Sequence, residues 1–445
     1  MGARKFSGLT ARAGGPLSGE SAAPGDKSIS HRALIFGALA DGETTARGLL
    51  EGHDVLRTAA AMRALGARIE RDRLAEGGGI WRIRGAKWTD PARPLYFGNS
   101  GTGCRLVLGA AAGQGVAADF DGDQSLRSRP MKRVSAPLAE MGADVRMSIS
   151  GTLPLSLAAG KLRAIDYLMP VASAQVKSAI LLAALGASGE TTVTETVLSR
   201  DHTERMLQTF GAKMEFGPAD KGRRIRIVGG QRLKAKHVDA PGDPSSAAFL
   251  AAAAAIIPGS EVLIKNVLVN PLRAGFYQTL KEMGGAVEFQ NVREISCEPV
   301  ADIRVRHSKL TGVDVPASRA AAMIDEYPIL SIVAAYAHGE TRMNGLNELR
   351  VKESDRLSAI EAGLKANGVK AESGDDWLVV AGQDGDVQGG GEVETHLDHR
   401  IAMSFLVMGL ASGKPVSIDD ASMIATSYPG FAATIRSLVG DISAP

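Results

Sequence analysis

The sequence predicts an α/β fold built from six copies of one module, arranged as two halves of three copies each. Each copy contains an apolar, Ala-rich stretch of helical length, a Gly turn, a β-branched stretch and an amphipathic helix. The turn glycines recur every 70–80 residues, a period too long for the usual solenoid repeats, so each copy is predicted to be a subdomain. The turn glycines are Gly42, Gly115, Gly189, Gly259, Gly339 and Gly413.

The two helices of a module differ in polarity. The first is apolar on nearly every face, as from Ala247 to Ile257, and a soluble helix of that kind must be buried on every face. The second is amphipathic and is followed by a Gly that we expect to adopt a left-handed conformation at the helix end. Ordinary α/β layering would also fit this pattern. The second glycines are Gly66, Gly142, Gly211, Gly284, Gly368 and Gly440.

A second repetition predicts the domain boundaries. The segment PGDKS begins at Pro24, and the similar segment PGDPSS begins at Pro241. We therefore predict one domain from residues 25–240 and another from residues 1–24 and 241–445, with three modules in each. The active site is expected in the cleft between them.

Bulk composition excludes several classes of function. A chain of 445 residues is long enough for two or three domains. The formal net charge of +2 argues against a general nucleic-acid binder or a polybasic membrane protein. Two cysteines do not form a disulfide framework, no apolar run is long enough to span a membrane, and the N-terminus lacks the apolar region of a secretory signal. We expect a cytoplasmic protein.

Polar clusters precede the apolar helices. Ser, Thr, Asn and Asp at such positions commonly serve as N-caps. The free N–H groups of a helix start also suit phosphate and carboxylate, so either role fits. The clusters are Lys27-Ser28, Asn99-Ser100-Gly101-Thr102, Ser173-Ala174-Gln175, Asp243-Pro244-Ser245-Ser246, Asp325-Glu326 and Asp398-His399-Arg400.

Basic residues accompany these clusters in GDKSISHR, SLRSRPMKR and LDHR. Any one of these runs could be a solvated surface. The segment RVKESDR is more informative because it places Lys352, Glu353 and Arg356 close together. A carboxylate among cations allows one group to transfer protons while the others hold anions. We therefore predict an enzyme that binds two phosphate-bearing small molecules in a basic cleft and joins them.

Common cofactor motifs are missing from the sequence. It contains no GxxxxGK[ST] loop and no GxGxxG in an early βαβ unit. It also contains no GxSxG elbow and no HExxH, and His396 with His399 is a weak metal signal. We therefore predict no metal and no organic cofactor, with substrates that carry their own leaving group.

A series of motifs resembles the 5-enolpyruvylshikimate-3-phosphate synthase family, in its bacterial class II branch. In order from about Pro24 to about Pro429 they are PGDKSISHR, GNSGTGCRL, RPM, SAQVKSA, RDHTE, IDEYPI, RVKESDRL and LDHRIAMSF. The resemblance implies a two-domain inside-out α/β barrel of six βαβαββ repeats with buried helices. It implies a monomer that transfers the enolpyruvyl group of phosphoenolpyruvate to the 5-hydroxyl of shikimate 3-phosphate and releases phosphate, without metal or cofactor.

The resemblance also implies roles for individual residues. Asp325 would act as base on the attacking hydroxyl, Glu353 would protonate the methylene carbon, and Lys27 would contact both substrates. Shikimate 3-phosphate would contact Lys27, Ser28, Arg32, Ser173, Ala174, Gln175, Arg200, Asp325 and Lys352. Phosphoenolpyruvate, or the inhibitor glyphosate, would contact Lys27, Asn99, Gly101, Arg129, Gln175, Arg356 and Arg400.

The sequence departs from the family pattern at three places. The segment ATSYPG lacks the Lys that many members carry near Thr426, and NPLR at 270–273 replaces the class II NPTR. Gly101 stands where strongly glyphosate-tolerant class II members carry Ala. Since a methyl group there crowds the inhibitor more than the smaller substrate, we expect this protein to bind glyphosate better than those relatives.

Two other functions are compatible with parts of this sequence. UDP-N-acetylglucosamine enolpyruvyltransferase shares the fold and the chemistry, but it usually carries a reactive Cys on a flexible loop, whereas Cys104 is expected to be a buried packing residue. A catalytically inactive binding protein on the same fold would have no need for Lys27, Asp325, Glu353 and Arg400 together.

Overall fold

The computed structural model describes residues 8–73 and 78–444, and the chain divides into two compact units. The C-terminal unit takes its described residues from Met1–Pro24, Pro241–Arg293 and Pro299–Pro445. The N-terminal unit consists of Gly25–Ala240 together with the short segment Glu294–Glu298. The predicted boundaries did not place that segment in the N-terminal unit, where the Ser296 hydroxyl accepts a hydrogen bond from the backbone N–H of Asp239 at 2.8 Å.

The described residues form 24 strands and 14 α-helices. The strands are β1 (Leu9–Arg12), β2 (Ser18–Ala22), β3 (Glu43–Arg47), β4 (Arg68–Arg73), β5 (Gly79–Arg84), β6 (Leu95–Tyr96), β7 (Ala118–Asp121), β8 (Val145–Met147), β9 (Leu155–Leu157), β10 (Asp166–Leu168), β11 (Glu190–Glu195), β12 (Met214–Pro218), β13 (Arg223–Val228), β14 (His237–Asp239), β15 (Glu261–Leu268), β16 (Ala286–Ile295), β17 (Glu298–Arg306), β18 (Asp314–Val315), β19 (Glu340–Asn344), β20 (Ala371–Ser373), β21 (Trp377–Ala381), β22 (Glu392–Val393), β23 (Val416–Ile418) and β24 (Asp441–Ser443). The helices are α1 (Lys27–Leu39), α2 (His53–Ala64), α3 (Gly101–Gln114), α4 (Gln124–Arg127), α5 (Lys132–Glu140), α6 (Ala174–Ala184), α7 (His202–Thr209), α8 (Pro244–Ile256), α9 (Gly275–Glu282), α10 (Ala320–Met323), α11 (Tyr327–Tyr336), α12 (Arg356–Ala366), α13 (His399–Gly409) and α14 (Phe431–Ser437). Short 3₁₀ turns cover Ala317–Arg319, Asn347–Val351 and Ser422–Thr426.

Six four-stranded sheets share one topology across the described residues. In each, a parallel pair of strands is followed by two antiparallel strands. The N-terminal unit has the orders β6-β7-β9-β8, β10-β11-β13-β12 and β14-β3-β5-β4, and the C-terminal unit has β16-β17-β15-β2, β18-β19-β21-β20 and β22-β23-β1-β24. The predicted repetition of six βαβαββ modules is therefore confirmed.

Three of these sheets are completed by strands from distant parts of the chain. Strand β14 pairs parallel to β3 in the first module of the N-terminal unit. Strand β2 pairs parallel to β15, and β1 pairs antiparallel to β23 and β24, in the C-terminal unit. A module thus begins or ends with a strand that its own sequence segment does not supply.

The first helix of each module is buried, as predicted. Every residue of α8 is buried, and α1, α3, α6, α11 and α13 bury nearly all of theirs. Within the N-terminal unit α3 packs closely on α6. A Cβ atom at Gly109 would lie 2.3 Å from the carbonyl oxygen of Ala179, so only Gly allows this approach. The close packing brings the starts of α3 and α6 into register.

The left-handed conformation predicted for the second glycines is found at five of the six positions. It occurs at Gly66, Gly142, Gly211, Gly284 and Gly368. The prediction for Gly440 is wrong, because the left-handed residue after α14 is Val439, with φ 75°. Gly440 is required for a different reason, since a Cβ there would lie 2.4 Å from Ile435 Cγ2.

Among the described residues, no helix combines the length and the apolar character that crossing a membrane requires.

Candidate active site

Most of the predicted substrate residues of the N-terminal unit lie at the starts of its buried helices, whereas Arg129 and Arg200 lie outside those helices. Each start is capped by a side-chain oxygen that accepts a hydrogen bond from the backbone N–H three residues on. The caps are Asp26, Ser100 and Ser173. Ser100 and Ser173 of the predicted polar clusters therefore do serve as N-caps, and as neutral hydroxyls they leave the partial positive charge of those helix starts in place. The cap of α1 is Asp26, which precedes the predicted cluster Lys27-Ser28 and adds a carboxylate.

Lys27 and Arg32 both lie on α1 but have different surroundings. Lys27 Nζ forms an ion pair with the carboxylate of Asp54 on α2. Arg32 is buried and donates from Nε to Thr203 Oγ1 at 2.7 Å and from Nη2 to Ser178 Oγ at 2.8 Å. Burial lowers the pKa of Arg32 to about 10, so its guanidinium remains charged at neutral pH.

Ser28 and Arg200 are close to Arg32. The Ser28 carbonyl oxygen accepts a hydrogen bond from Arg32 Nη1 at 3.0 Å. Arg200 is half-buried just before α7, and its positive charge contributes to the lowered pKa of Arg32. Two arginines and a helix start are thus gathered in one place, which favours a polyanionic ligand.

Arg129 is held against the start of α3. It is buried, and its Nη2 donates to Asn99 Oδ1 and, at 3.1 Å, to Ser125 Oγ. A Cβ atom at Gly101 would lie 3.2 Å from Arg129 Nη1 and 3.1 Å from Arg105 Nη1. The missing side chain of Gly101 therefore allows two guanidinium groups to approach the helix start.

Gln175 on α6 is held by two residues of α3. Its Oε1 accepts from Arg105 Nη1 at 2.7 Å, and its Nε2 donates to Thr102 Oγ1 at 2.9 Å. Arg105 also donates from Nη2 to the carbonyl oxygen of Pro130 at 3.1 Å, so it connects Gln175 with the turn that carries Arg129. Sequence reasoning missed Arg105, although a charged residue in an otherwise apolar helix was an available signal.

In the C-terminal unit, the five predicted residues form one ionic cluster. Arg356 Nη2 lies 2.6 Å from Glu353 Oε2, and Arg356 Nη1 lies 3.4 Å from Asp325 Oδ1. Lys352 Nζ lies 3.5 Å from the same oxygen of Asp325. Arg400 Nη1 donates to the Asp325 backbone carbonyl oxygen at 3.1 Å. The two carboxylates therefore share one guanidinium group and are surrounded by cations.

Arg356 is fully buried and also pairs with the fully buried Asp398. Its Nε lies 2.8 Å from Asp398 Oδ2. Burial by itself lowers the pKa of Arg356, but the charges of Asp398, Glu353 and Asp325 raise it above its ordinary value. Burial raises the pKa of Asp398, whereas Arg356 more than offsets this and holds it below its ordinary value. The sequence placed Asp398 in a polar cluster but gave it no role.

The structure thus brings the predicted residues together in two clusters, one in each unit. Each cluster combines arginine and lysine side chains with the start of a buried helix. Asp54, Arg105 and Asp398 were not predicted as site residues, yet each contacts one that was.

Among the described residues, one group could hold a metal ion by its composition. Ligand atoms of Asp201, His202 and Glu298 in the N-terminal unit lie within 4.8 Å of one another. Arg205 Nε is already 2.9 Å from Asp201 Oδ2, and His202 Nδ1 is 2.6 Å from Glu298 Oε1. The Arg205–Asp201 ion pair and the His202–Glu298 hydrogen bond account for this group, and we assign no metal to it.

Cys104 is buried within α3, as expected for a packing residue. Burial raises its pKa to about 12. A thiol of this kind does not supply a nucleophile at neutral pH.

Six βαβαββ modules, buried helices with capped starts and a pair of carboxylates among cations define an enolpyruvyl transferase. A sequence model described as EPSP synthase (3-phosphoshikimate 1-carboxyvinyltransferase) matches residues 11–435, and the chain belongs to this family. It is 57% identical over 437 residues to the 3-phosphoshikimate 1-carboxyvinyltransferase of Parvibaculum lavamentivorans, covering 97% of this chain and 96% of that protein. It is 58% identical over 440 residues to that of Methylobacterium sp. strain 4-46, covering 97% of each. A solved EPSP synthase structure from Acinetobacter baumannii is similar with a TM-score of 0.85 and 41% identity, covering 98% of this chain and 99% of that one.

These comparisons confirm the predicted fold and function. The protein transfers the enolpyruvyl group of phosphoenolpyruvate to shikimate 3-phosphate, a step of the shikimate pathway. The alternative function, enolpyruvyl transfer to a nucleotide sugar, is not favoured.

Proposed function

We propose that the two clusters act on the same pair of substrates and divide the work of the reaction. The chain splits the predicted residues between its units, and neither cluster alone contains both the helix starts of α1 and α3 and the two carboxylates. The reaction requires binding of two phosphate-bearing molecules together with proton transfer. The proposed substrate contacts are therefore contributed by residues of both units.

Phosphoenolpyruvate is bound by cationic groups from both clusters in this proposal. Arg129, Arg356 and Arg400 hold its phosphate and carboxylate, and Lys27 contacts it beside the second substrate. Asn99, Gly101 and Gln175 line its pocket. The position of Arg129 against the capped start of α3 supports this assignment, because guanidinium groups and helix starts both bind anions.

In this proposal, shikimate 3-phosphate is bound by residues around α1, α6 and the start of α7 in the N-terminal unit, together with Asp325 and Lys352 of the C-terminal unit. These residues are Lys27, Ser28, Arg32, Ser173, Ala174, Gln175, Arg200, Asp325 and Lys352. The support for this assignment is the grouping of Ser28, Arg32 and Arg200 beside the start of α1.

The two carboxylates carry the proton transfers. Asp325 accepts the proton of the 5-hydroxyl as its oxygen attacks C2 of phosphoenolpyruvate, and Glu353 delivers a proton to C3, which gives a tetrahedral intermediate. In the second step Glu353 removes a proton from C3 as the C–O bond to phosphate breaks, and Asp325 passes the hydroxyl proton to the departing phosphate, so that both carboxyl groups regain their starting states. The observation that carries this assignment is Arg356, whose guanidinium contacts both carboxylates at 2.6 and 3.4 Å.

The enzyme is further proposed to be a cytoplasmic monomer. Both cysteines are free, which suits a reducing compartment. Sedimentation of the purified protein tests the monomeric state.

Phosphate release tests the function and the site together. Purified enzyme with phosphoenolpyruvate should release phosphate with shikimate 3-phosphate, without added metal, and not with UDP-N-acetylglucosamine. Release only with the nucleotide sugar would overturn the substrate. The Arg129→Ala variant should mainly raise the KM for phosphoenolpyruvate, and an unchanged value would remove Arg129 from the site.

A further inference from the structure

We infer that Asp398 is a positioning residue for the phosphoenolpyruvate site, because one buried carboxylate fixes both Arg356 and Arg400. This inference rests on the proposed role of those two arginines in binding phosphoenolpyruvate.

The Asp398 carboxylate is fully occupied by donors of the C-terminal unit. Its Oδ2 accepts from Arg356 Nε at 2.8 Å and from Ser354 Oγ at 3.1 Å. Its Oδ1 accepts from the backbone N–H of Arg400 at 2.9 Å and from Arg356 Nη2 at 3.3 Å. A carboxylate offers about four acceptor sites, so these four donors leave Asp398 none for a ligand. Its role is to orient its neighbours.

The contact with Asp398 sets the direction of the Arg356 guanidinium. A guanidinium is planar and rigid, so fixing one edge fixes the opposite edge. Asp398 occupies the Nε and Nη2 edge, and the remaining Nη1 lies 3.4 Å from Asp325 Oδ1. Without the Asp398 charge, Arg356 would be drawn only towards Glu353 and Asp325.

The same carboxylate caps α13 and thereby positions Arg400. Arg400 is the second residue of the helix, and its Nη1 reaches the Asp325 carbonyl oxygen at 3.1 Å. The backbone just before the cap is held in an uncommon conformation, since His396 and Leu397 have φ of 50° and 57°. Such conformations persist where surrounding contacts fix them, and they cluster at functional sites.

The contacts that fix this backbone are present. Thr395 donates to Asp419 Oδ1 through its backbone N–H at 2.9 Å and through its hydroxyl at 2.7 Å. The Asp398 N–H in turn donates to the Thr395 carbonyl oxygen at 2.9 Å. The position of Asp398 is therefore determined from both sides of the cap.

The test is the Asp398→Asn variant, compared with Asp355→Asn. Asn is as good an N-cap as Asp, so both substitutions preserve the helix start and remove one negative charge. Asp355 caps α12 through a bond from the Ser358 N–H at 3.1 Å, is exposed, and pairs with Arg350 instead of a site arginine. It therefore controls for the loss of a capping charge in the same unit.

We expect Asp398→Asn to raise the KM for phosphoenolpyruvate by about 10- to 100-fold, since a charge-assisted contact is lost and one amide donor faces Arg356. The KM for shikimate 3-phosphate should change by less than about threefold, because only phosphoenolpyruvate depends on both arginines. Asp355→Asn should change neither value. The smaller change Ser354→Ala, which removes only the 3.1 Å bond to Asp398 Oδ2, should raise the KM for phosphoenolpyruvate by about fivefold.

The outcomes separate this inference from the proposed site. If Arg400→Ala raises the KM for phosphoenolpyruvate but Asp398→Asn and Ser354→Ala do not, the role of Asp398 is overturned and the site stands. An equal rise of both KM values in Asp398→Asn also overturns the role, because it indicates a general loss of structure. If Asp398→Asn does not fold, the KM for phosphoenolpyruvate of Ser354→Ala decides: a rise supports the role of Asp398, and an unchanged value overturns it. Unchanged values in both Arg356→Ala and Arg400→Ala overturn the proposed site itself.

Discussion

Glu353 and Asp325 contact the guanidinium group of Arg356. In the first step of the proposed reaction, Glu353 donates a proton and Asp325 accepts one. We predict that Glu353→Gln lowers kcat by about 10²- to 10⁴-fold, the usual range for loss of a general acid or base. Substrate binding should change little, because Gln preserves the shape of Glu and can still accept from Arg356 Nη2, which lies 2.6 Å from Glu353 Oε2. Steady-state kinetics and titration with shikimate 3-phosphate measure the two effects separately.

The matched control is Glu372→Gln, at an exposed position of β20 in the same unit. It should leave kcat unchanged. A Glu353→Gln enzyme with nearly normal kcat would remove Glu353 from the proton transfers.

Gly101 leaves space that Arg105 and Arg129 fill. A methyl group there would lie 3.1 and 3.2 Å from their Nη1 atoms and 3.6 Å from Leu126 Cδ1. Overpacking of this kind costs ~1–3 kcal/mol, so we predict that Gly101→Ala raises the inhibition constant of glyphosate by about tenfold or more. The rise should exceed that of the KM for phosphoenolpyruvate, because the inhibitor is larger.

The control is Gly160→Ala, since a Cβ at Gly160 meets nothing within 4 Å. Equal rises of the inhibition constant and the KM in Gly101→Ala would contradict the expected selectivity.

At the scale of elements, a buried ion network joins α6, β11, α7 and β13. Lys177 Nζ lies 2.9 Å from Glu195 Oε2 and 2.7 Å from Glu204 Oε1, and all three residues are buried. Arg223 Nη2 contacts the same two carboxylates at 3.2 and 2.8 Å. We predict that Lys177→Met lowers the free energy of unfolding by ~3–5 kcal/mol, because two buried carboxylates would then share the single charge of Arg223, and one buried negative charge would be uncompensated.

Urea unfolding measures this loss. Arg226→Met removes an exposed ion pair in which Arg226 Nη1 lies 3.5 Å from Glu215 Oε2. This substitution should lower the free energy of unfolding by less than ~1 kcal/mol. Similar losses in the two variants would show that the buried network does not hold these elements together.

His31 of α1 contacts Thr58 of α2, with Nδ1 2.8 Å from Oγ1. Burial, and then the charges of Lys27 and Arg32, hold the pKa of His31 well below its ordinary value. Below about pH 6.5 the unfolded chain binds a proton that the folded chain does not. We therefore predict that this contribution to stability is present above about pH 6.5 and is lost as pH falls, by ~1.4 kcal/mol per pH unit.

Unfolding free energies measured between about pH 5 and about pH 7 test this slope. His31→Asn should remove the contribution of one proton, which lowers the slope by ~1.4 kcal/mol per pH unit. His307→Asn, at an exposed position, should leave the slope unchanged. An unchanged slope in His31→Asn would show that another group is responsible.

At the scale of the whole molecule, the division of the site residues between two units predicts a change on ligand binding. The chain passes between the units near Gly25 and Ala240 and again on either side of Glu294–Glu298. We expect the crossings near Gly25 and Ala240 to act as hinges. Exclusion of water protects a reactive intermediate, so saturating shikimate 3-phosphate with glyphosate should make the molecule more compact. Small-angle scattering measures this as a smaller radius of gyration.

The Lys27→Met variant, in which a residue expected to contact both ligands is altered, should retain the unliganded profile at the same concentrations. A wild-type profile unchanged by both ligands would count against closure.

The sequence by itself determined the repeating module, the buried helices and the family. These features are local, because helical periodicity, turn glycines and short motifs each depend on residues that are close together in the sequence. It also located Asp325, Glu353 and Arg356, which the structure brings into contact. It did not predict which residue after α14 is left-handed. That residue is Val439 and not Gly440, because α14 ends one residue earlier than the repeat pattern predicts.

Only the tertiary structure decided which distant residues meet. Strands β1 and β14 complete sheets whose other strands lie far along the chain. Arg105 contacts Gln175 across 70 positions and Arg356 contacts Asp398 across 42. No local period encodes such pairs, because their contact depends on how buried helices pack. The supporting residues Asp54, Arg105 and Asp398 therefore became visible only when the helix starts were placed in space.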